Sequence, residues 1–338
     1  MEVKALLMAG KTQKKYLIDI NSPPTRALAR HLPLLKKLYR LRSGFQIYLL
    51  LLLPITGIIT RNRSEPAMAQ SPALKVIVIR KDLPLLKILL PGQPASDRGI
   101  EIEFPEHVTG LNKRTNQVEH LYLVTNRNLK RTLPRWQIDG NKFSYETEFE
   151  SIKMIATAYL EPDGLRCIYK FINRSTVSYQ NLQAVTCVKL YSAFSDTLLQ
   201  RTYVHHPNGF DLMASETPER LNMPLQNWLP CRYLVSYNWP VEVKRIEKRE
   251  DSITRYNKSR KADKPFIATL SHDKNWVAAT YTKATGNLWT NPERSCQHAD
   301  PAINLNAGET KSLELKTFII KGDLERLLKL INKEMTKS

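Results

Sequence analysis

"KMIATAYLEPDGLRCIYKFINRSTVSYQNLQAVTCVKL", residues 153–190, decides the fold class. Its three β-rich runs, "KMIATAYL", "LRCIYKFI" and "LQAVTCVKL", are cut by the turn formers of "PDG" and by a polar stretch. The same grammar extends in both directions. Upstream lie "LKVIVIR", "IEIEF", "HLYLVT" and "KFSYETEF"; downstream lie "YLVSYNW", "FIATLS", "WVAATYT" and "SLELKTFII", with "HPNG", "HDKN" and "NAGE" among the turns. This rhythm predicts a mainly β protein, a large antiparallel β-sandwich, rather than βαβ units. Helix is expected only at the end. In "GDLERLLKLINKEMTKS" Leu324, Leu327, Leu328 and Ile331 follow the i, i+3, i+4, i+7 pattern behind Asp323 as cap, predicting a short helix across the sandwich.

Four cysteines permit disulfides. If "LRCIYKFIN" and "NLQAVTCVKL" formed a hairpin with Asn173 opposite Asn181, Cys167 would face Cys187. That register allows either a Cys167–Cys187 bridge or two buried thiols acting as small apolar groups. Cys231 and Cys296 could pair or stay reduced.

Net charge is +19, and residues 1–69 carry +9 of it. In that leader Lys36, Lys37, Arg40 and Arg42 precede an uncharged run from Phe45 to Thr60. The run is shorter than the roughly 20 residues of a spanning helix, and Pro54 interrupts it, which favours an export signal. Ala67 and Ala69 form an A-x-A cleavage pattern with Gln70 as the new N-terminus; Arg61, Arg63 and Glu65 leave an uncleaved anchor as the alternative. Both place the folded part outside the cytoplasm, in the periplasm or the medium. The expected organisation is a leader over 1–69, a linker and entry strand over 70–99, the sandwich over 100–331 and a tail over 332–338. The remaining +10 predicts attraction to acidic glycans or anionic envelope surfaces. The basic segment 243–265 reads as a solvated loop or strand pair, with a polyanion patch as the alternative; it lacks the interleaved aromatics of single-strand binding, and no nucleic-acid partner is expected. Membrane contact is expected only through the apolar leader.

Candidate chemistry gathers in "SCQHADP", Ser295–Pro301. On a regular strand Cys296, His298 and Asp300 share a face, so Asp300 can orient His298, and the trio can be part of a metal site or a hydrogen-bonded corner. A metal would need further ligands, with His205, His206 and His272 available; no metal and no cofactor is assigned. Trp289 and Asn291, just upstream, are the kind of aromatic face and amide that hold a sugar ring, unless Trp289 is core. In "QRTYVHHPNG" His205 shares parity with Arg201 and Tyr203 and is preferred to His206, with Arg201 expected to bind ligand. Glycine-rich phosphate loops, G-x-S-x-G and HExxH do not occur.

"DGLRCIYKFINRS", the strand bearing Cys187, "QRTYV" and the ending from "WTNPERSCQHADP" through "NAGETKSLELKTFII" resemble a family of exported bacterial β-sandwich proteins, similar to the galactose mutarotase-like supersandwich. The resemblance covers about residues 100–331. It implies carbohydrate as ligand, and "NAGE", Asn306–Glu309, as the turn before the final strand. Under its enzymatic variant His298 or His205 would be the acid and Glu309 or Asp300 the base of an epimerase-like catalyst, or the protein would be a polysaccharide lyase. The expectation is an exported sandwich that binds carbohydrate or an envelope glycan without catalysis, with the carbohydrate-active enzyme as the alternative.

Overall fold

The structure, a computed structural model, describes residues 73–80, 84–124, 135–213, 233–234, 246–248, 254–256, 262–285, 288–291 and 294–337. Its strands are β1 (Lys75–Arg80), β2 (Pro84–Leu89), β3 (Ile100–Asn112), β4 (Gln117–Leu121), β5 (Gln137–Asp139), β6 (Lys142–Phe149), β7 (Ile152–Glu161), β8 (Gly164–Asn173), β9 (Tyr179–Leu190), β10 (Thr202–His206), β11 (Gly209–Leu212), β12 (Tyr233–Leu234), β13 (Ile246–Lys248), β14 (Thr254–Tyr256), β15 (Phe266–Leu270), β16 (Trp276–Tyr281), β17 (Cys296–Gln297), β18 (Ala302–Leu305) and β19 (Thr310–Lys321). One sheet runs β1-β2-β3-β9-β17, with β4 on β3 and β18 on β9; the other runs β11-β10-β15-β16-β19-β8-β7-β6-β5. Every pairing in these two sheets is antiparallel, and their shared core makes the protein a β-sandwich.

Alternation explains the core. Ile100, Ile102 and Phe104 of β3 with Leu182, Ala184 and Val188 of β9 meet Met154, Ala156 and Ala158 of β7 and Cys167, Tyr169 and Phe171 of β8. The β7–β8 hairpin forms as its "PDG" predicts, with Glu161 opposite Gly164. Gly164 has φ +147°, and a Cβ there would lie 2.0 Å from the Thr317 carbonyl, so β19 approaches its backbone as only glycine permits.

The next connection corrects the sequence reading. β8 pairs with β7 and β19, whereas β9 pairs with β3, β17 and β18, so the two strands belong to opposite sheets. Cys167 and Cys187 are therefore not bridged; both are free and buried. Each strand has an apolar face to bury, and facing each other across the core does this where a hairpin would leave both faces on one sheet. Tyr169 and Thr186 hydroxyls meet across the core at 2.6 Å. The crossing is fixed by Asn173, whose amide donates to the Val177 and Asn306 carbonyls and whose Oδ1 accepts from Ser175 N.

The C-terminal helix, α1 (Leu324–Met335), begins where expected, with Asp323 accepting from Arg326 N at 2.9 Å. Leu327 and Ile331 are buried on the outer face of the second sheet, against Phe266, Val277, Ala279, Phe318 and Ile320. "NAGE" forms the turn before β19: Glu309 N donates to Asn306 O, and Glu309 Oε2 accepts from Asn306 N at 2.7 Å. The segment over 70–99 contributes more than an entry strand, since β1 and β2 pair with each other and β2 with β3. Within the basic segment β13 and β14 pair antiparallel, and β12 joins β14 in parallel. Among the described residues no helix is long and apolar enough to cross a membrane. The apolar run 45–60, the cleavage pattern at Ala69 and Cys231 lie outside the described residues.

Candidate functional site

The strand β17 is two residues long, yet it settles which way "SCQHADP" points. Cys296 pairs with Lys189 and Gln297 with Val188 of β9. Val188 is core, so Gln297 turns inward, where it bonds Thr269, Thr280 and the Ala278 carbonyl of the second sheet. Cys296 and His298, one residue either side, turn outward with Cys187 and Lys189. On β3 the register shifts between Glu103 and His107, where three residues oppose Thr186 alone. Such a bulge re-aims side chains. It lets Glu106 join Glu103 beside Cys187, although strict alternation would separate them.

The outward trio is buried. Cys296 Sγ lies 3.4 Å from His298 Nε2, and His298 Nδ1 lies 3.4 Å from Asp300 Oδ1. Asp300 is held from two further sides, by Trp289 Nε1–H at 2.8 Å and Thr186 N–H at 3.2 Å. Trp289 and His298 form an antiparallel bridge, which stacks indole on imidazole at 3.5 Å between centroids and 10° between planes. Burial alone would lower the His298 pKa, but Cys296 and Asp300 outweigh it and raise it to about 10. The two thiols separate: the hydrogen bond between them, followed by burial, holds Cys187 up, while that bond and His298 pull Cys296 down against burial. Of the two thiols Cys187 is thus the donor and Cys296 the acceptor, beside His298. Cys187, Cys296 and His298 offer ligand atoms all within 4.8 Å of one another, and are the described residues best disposed to hold a metal.

Glu103, Glu106, His107 and Lys189 complete this face, and sequence reasoning missed all four. Glu103 is buried and ion-paired with Lys189, and its Oε2 has no hydrogen-bond partner among the described residues. Glu106 and His107 are half-buried and form the accessible rim. Burial raises the Glu106 carboxyl, opposed by His298 and helped by Glu103. Burial likewise lowers His107 to about 4, with His120, 5.6 Å away between centroids, adding to the effect. The available signal was Pro105 inside "IEIEFPEHV": a proline within a strand marks a bulge or an edge, and a bulge breaks the parity rule.

The other expected residues are occupied elsewhere. Trp289 is half-buried, with one face on His298 and its N–H on Asp300. Asn291 is buried; its carbonyl accepts from Arg294 N, and its Oδ1 has no partner among the described residues. His205 lies on the other sheet, where its Nδ1 meets Asp263 Oδ1 at 2.6 Å, and His206 faces Asp211 at 3.9 Å. The Arg201 guanidinium donates to the carbonyls of Leu270 and Ser195, so it braces the chain rather than a ligand. His272 Nε2 lies 2.9 Å from the Ser195 carbonyl. Glu309 is tied to its turn and to Lys311 at 2.8 Å. Cys167 is a core thiol, its pKa raised by burial.

No family model and no curated protein matches the chain. Solved structures similar to it include a protein from Synechocystis sp. PCC 6803, at 10% identity and TM-score 0.40, covering 74% of this chain and 93% of that one. A galactose mutarotase-like protein from Clostridium acetobutylicum is similar at 11% identity and TM-score 0.35, covering 74% and 94%. A polysaccharide lyase is similar at 13% identity and TM-score 0.33, covering 67% of this chain but 27% of its own length. The sandwich rests on this chain's own strand pairing.

Proposed function

We propose that the chain is an exported sandwich that binds carbohydrate on the outer face of its first sheet, at the rim formed by Glu106 and His107. The observation that carries this reading is the pairing of that half-buried rim with the buried acceptor Glu103 Oε2, unpartnered among the described residues. Such an acceptor calls for donors, and ring hydroxyls supply them in adjacent pairs. The net charge of +10 carried by residues 70–338 favours acidic glycans.

A glycan-binding screen of the full chain, beside Glu106→Gln and His107→Ala, tests the reading. Binding should weaken at least about tenfold in either variant, the loss of one or two hydrogen bonds, at one of them to a charged group, with melting temperature retained. For acidic glycans it should also weaken as salt rises. Binding unchanged in both variants would remove the site from this face. Anomer exchange of a bound reducing sugar, followed by NMR, distinguishes simple binding from epimerase-like catalysis.

A further inference from the structure

We infer that Cys187, Cys296 and His298 form a binding site for a thiophilic divalent cation, with zinc as the best fit. The donor set is two sulfurs and one imidazole nitrogen, held by adjacent strands rather than by a loop. The 3.4 Å between Cys296 Sγ and His298 Nε2 is close to the edge of about 3.6 Å that Zn–S and Zn–N bonds of about 2.3 and 2.0–2.1 Å define in a tetrahedron. Two sulfurs and an imidazole suit zinc better than the hard cations, which take oxygen.

The surroundings point the same way. His298 presents Nε2 to the thiols while Nδ1 faces Asp300, the carboxylate–histidine arrangement that fixes tautomer and ring orientation in metal sites. Asp300 is itself fixed by Trp289 and Thr186, and the indole stack prevents the imidazole from rotating. A second acidic side chain, Glu103, lies within 4.8 Å of Cys187 with one buried oxygen unpartnered among the described residues. On binding, two Zn–S bonds and one Zn–N bond form, the two protons that Cys187, Cys296 and Nε2 hold between them leave to solvent, and Asp300 keeps Nδ1–H. Three protein donors leave the fourth position for water or an added ligand, and the half-buried rim at Glu106 and His107 gives the entry side. The sequence alone offered His205, His206 and His272 as completing ligands; the fold supplies Cys187 instead. This site does not depend on the carbohydrate reading.

The test uses the full chain, reduced and freed of metal, then titrated with cobalt(II) and, separately, with zinc(II). One cobalt per chain with a thiolate-to-cobalt charge-transfer band, displaced by zinc, is the expected result, together with a melting temperature raised by zinc. Cys187→Ser and Cys296→Ser should abolish the band, and Asp300→Asn, a positioning change, should weaken zinc binding about 10–100-fold while keeping the band. Absence of the band in the wild-type chain overturns the site even if every variant fails to fold. A band that persists in the Cys187→Ser, Cys296→Ser double variant overturns it too.

Discussion

At the scale of single residues the outer face of the first sheet is a set of groups displaced from their usual acidities, Glu106 and His107 by burial and His298 and Cys296 by their partners against it. His107 gives the cleanest consequence. Its folded pKa, about 4, lies below the ordinary histidine value of about 6.5, so the unfolded chain binds the extra proton first. Stability is therefore complete above about pH 6.5 and declines as pH falls toward 4, where the folded side chain also protonates. In urea unfolding followed across that window, His107→Gln should show a shallower decline than the wild type. Equal slopes in the two proteins would place the acid sensitivity elsewhere. Glu106 acts in the opposite sense: its raised pKa means that stability is lost as pH climbs from the ordinary carboxylate range to its folded value. Replacing His107 should leave that alkaline-side loss in place.

Two elements carry strong local requirements, and both can be tested by substitution. β8 begins at Gly164, where φ of +147° and the Thr317 carbonyl leave no room for a Cβ. Gly164→Ala should destabilise the chain by about 2–4 kcal/mol in urea unfolding, because strained backbone and a backbone clash combine. A change under about 0.5 kcal/mol would mean that β19 moves aside. α1 offers a contrast in magnitude. Asp323→Ala removes a cap and should cost about 1 kcal/mol, whereas Leu327→Ala opens a void beneath the helix and should cost about 2–4 kcal/mol. Reversed magnitudes would make the helix held by its cap rather than by its packing.

For the whole molecule, charge is read from the sequence, and export is a proposal made from it. Half of the +19 excess lies in residues 1–69, around an uncharged run that reads as an export signal. Export with cleavage predicts Gln70 as the N-terminus of protein recovered from the envelope or the medium, determined by mass spectrometry of its terminal peptide; an intact leader in a cytoplasmic fraction would contradict export. The sequence by itself determined the β class, the terminal helix with its Asp323 cap and the "NAGE" turn, because each follows from a local period or from turn chemistry. It also placed Cys296, His298 and Asp300 on one face, since three alternate positions of an extended chain share a side. Only the tertiary structure decided what they face. The connection after β8 crosses between sheets instead of forming a hairpin, which separates Cys167 from Cys187 and brings Cys187 to Cys296. The bulge in β3 turns Glu106 toward the same cluster, and the Trp289–His298 bridge occupies an aromatic face that looked free for a sugar. These are choices of partner, not of period: alternation says which side a residue takes along its own strand, but which strand lies alongside is settled by burying apolar faces far apart in sequence.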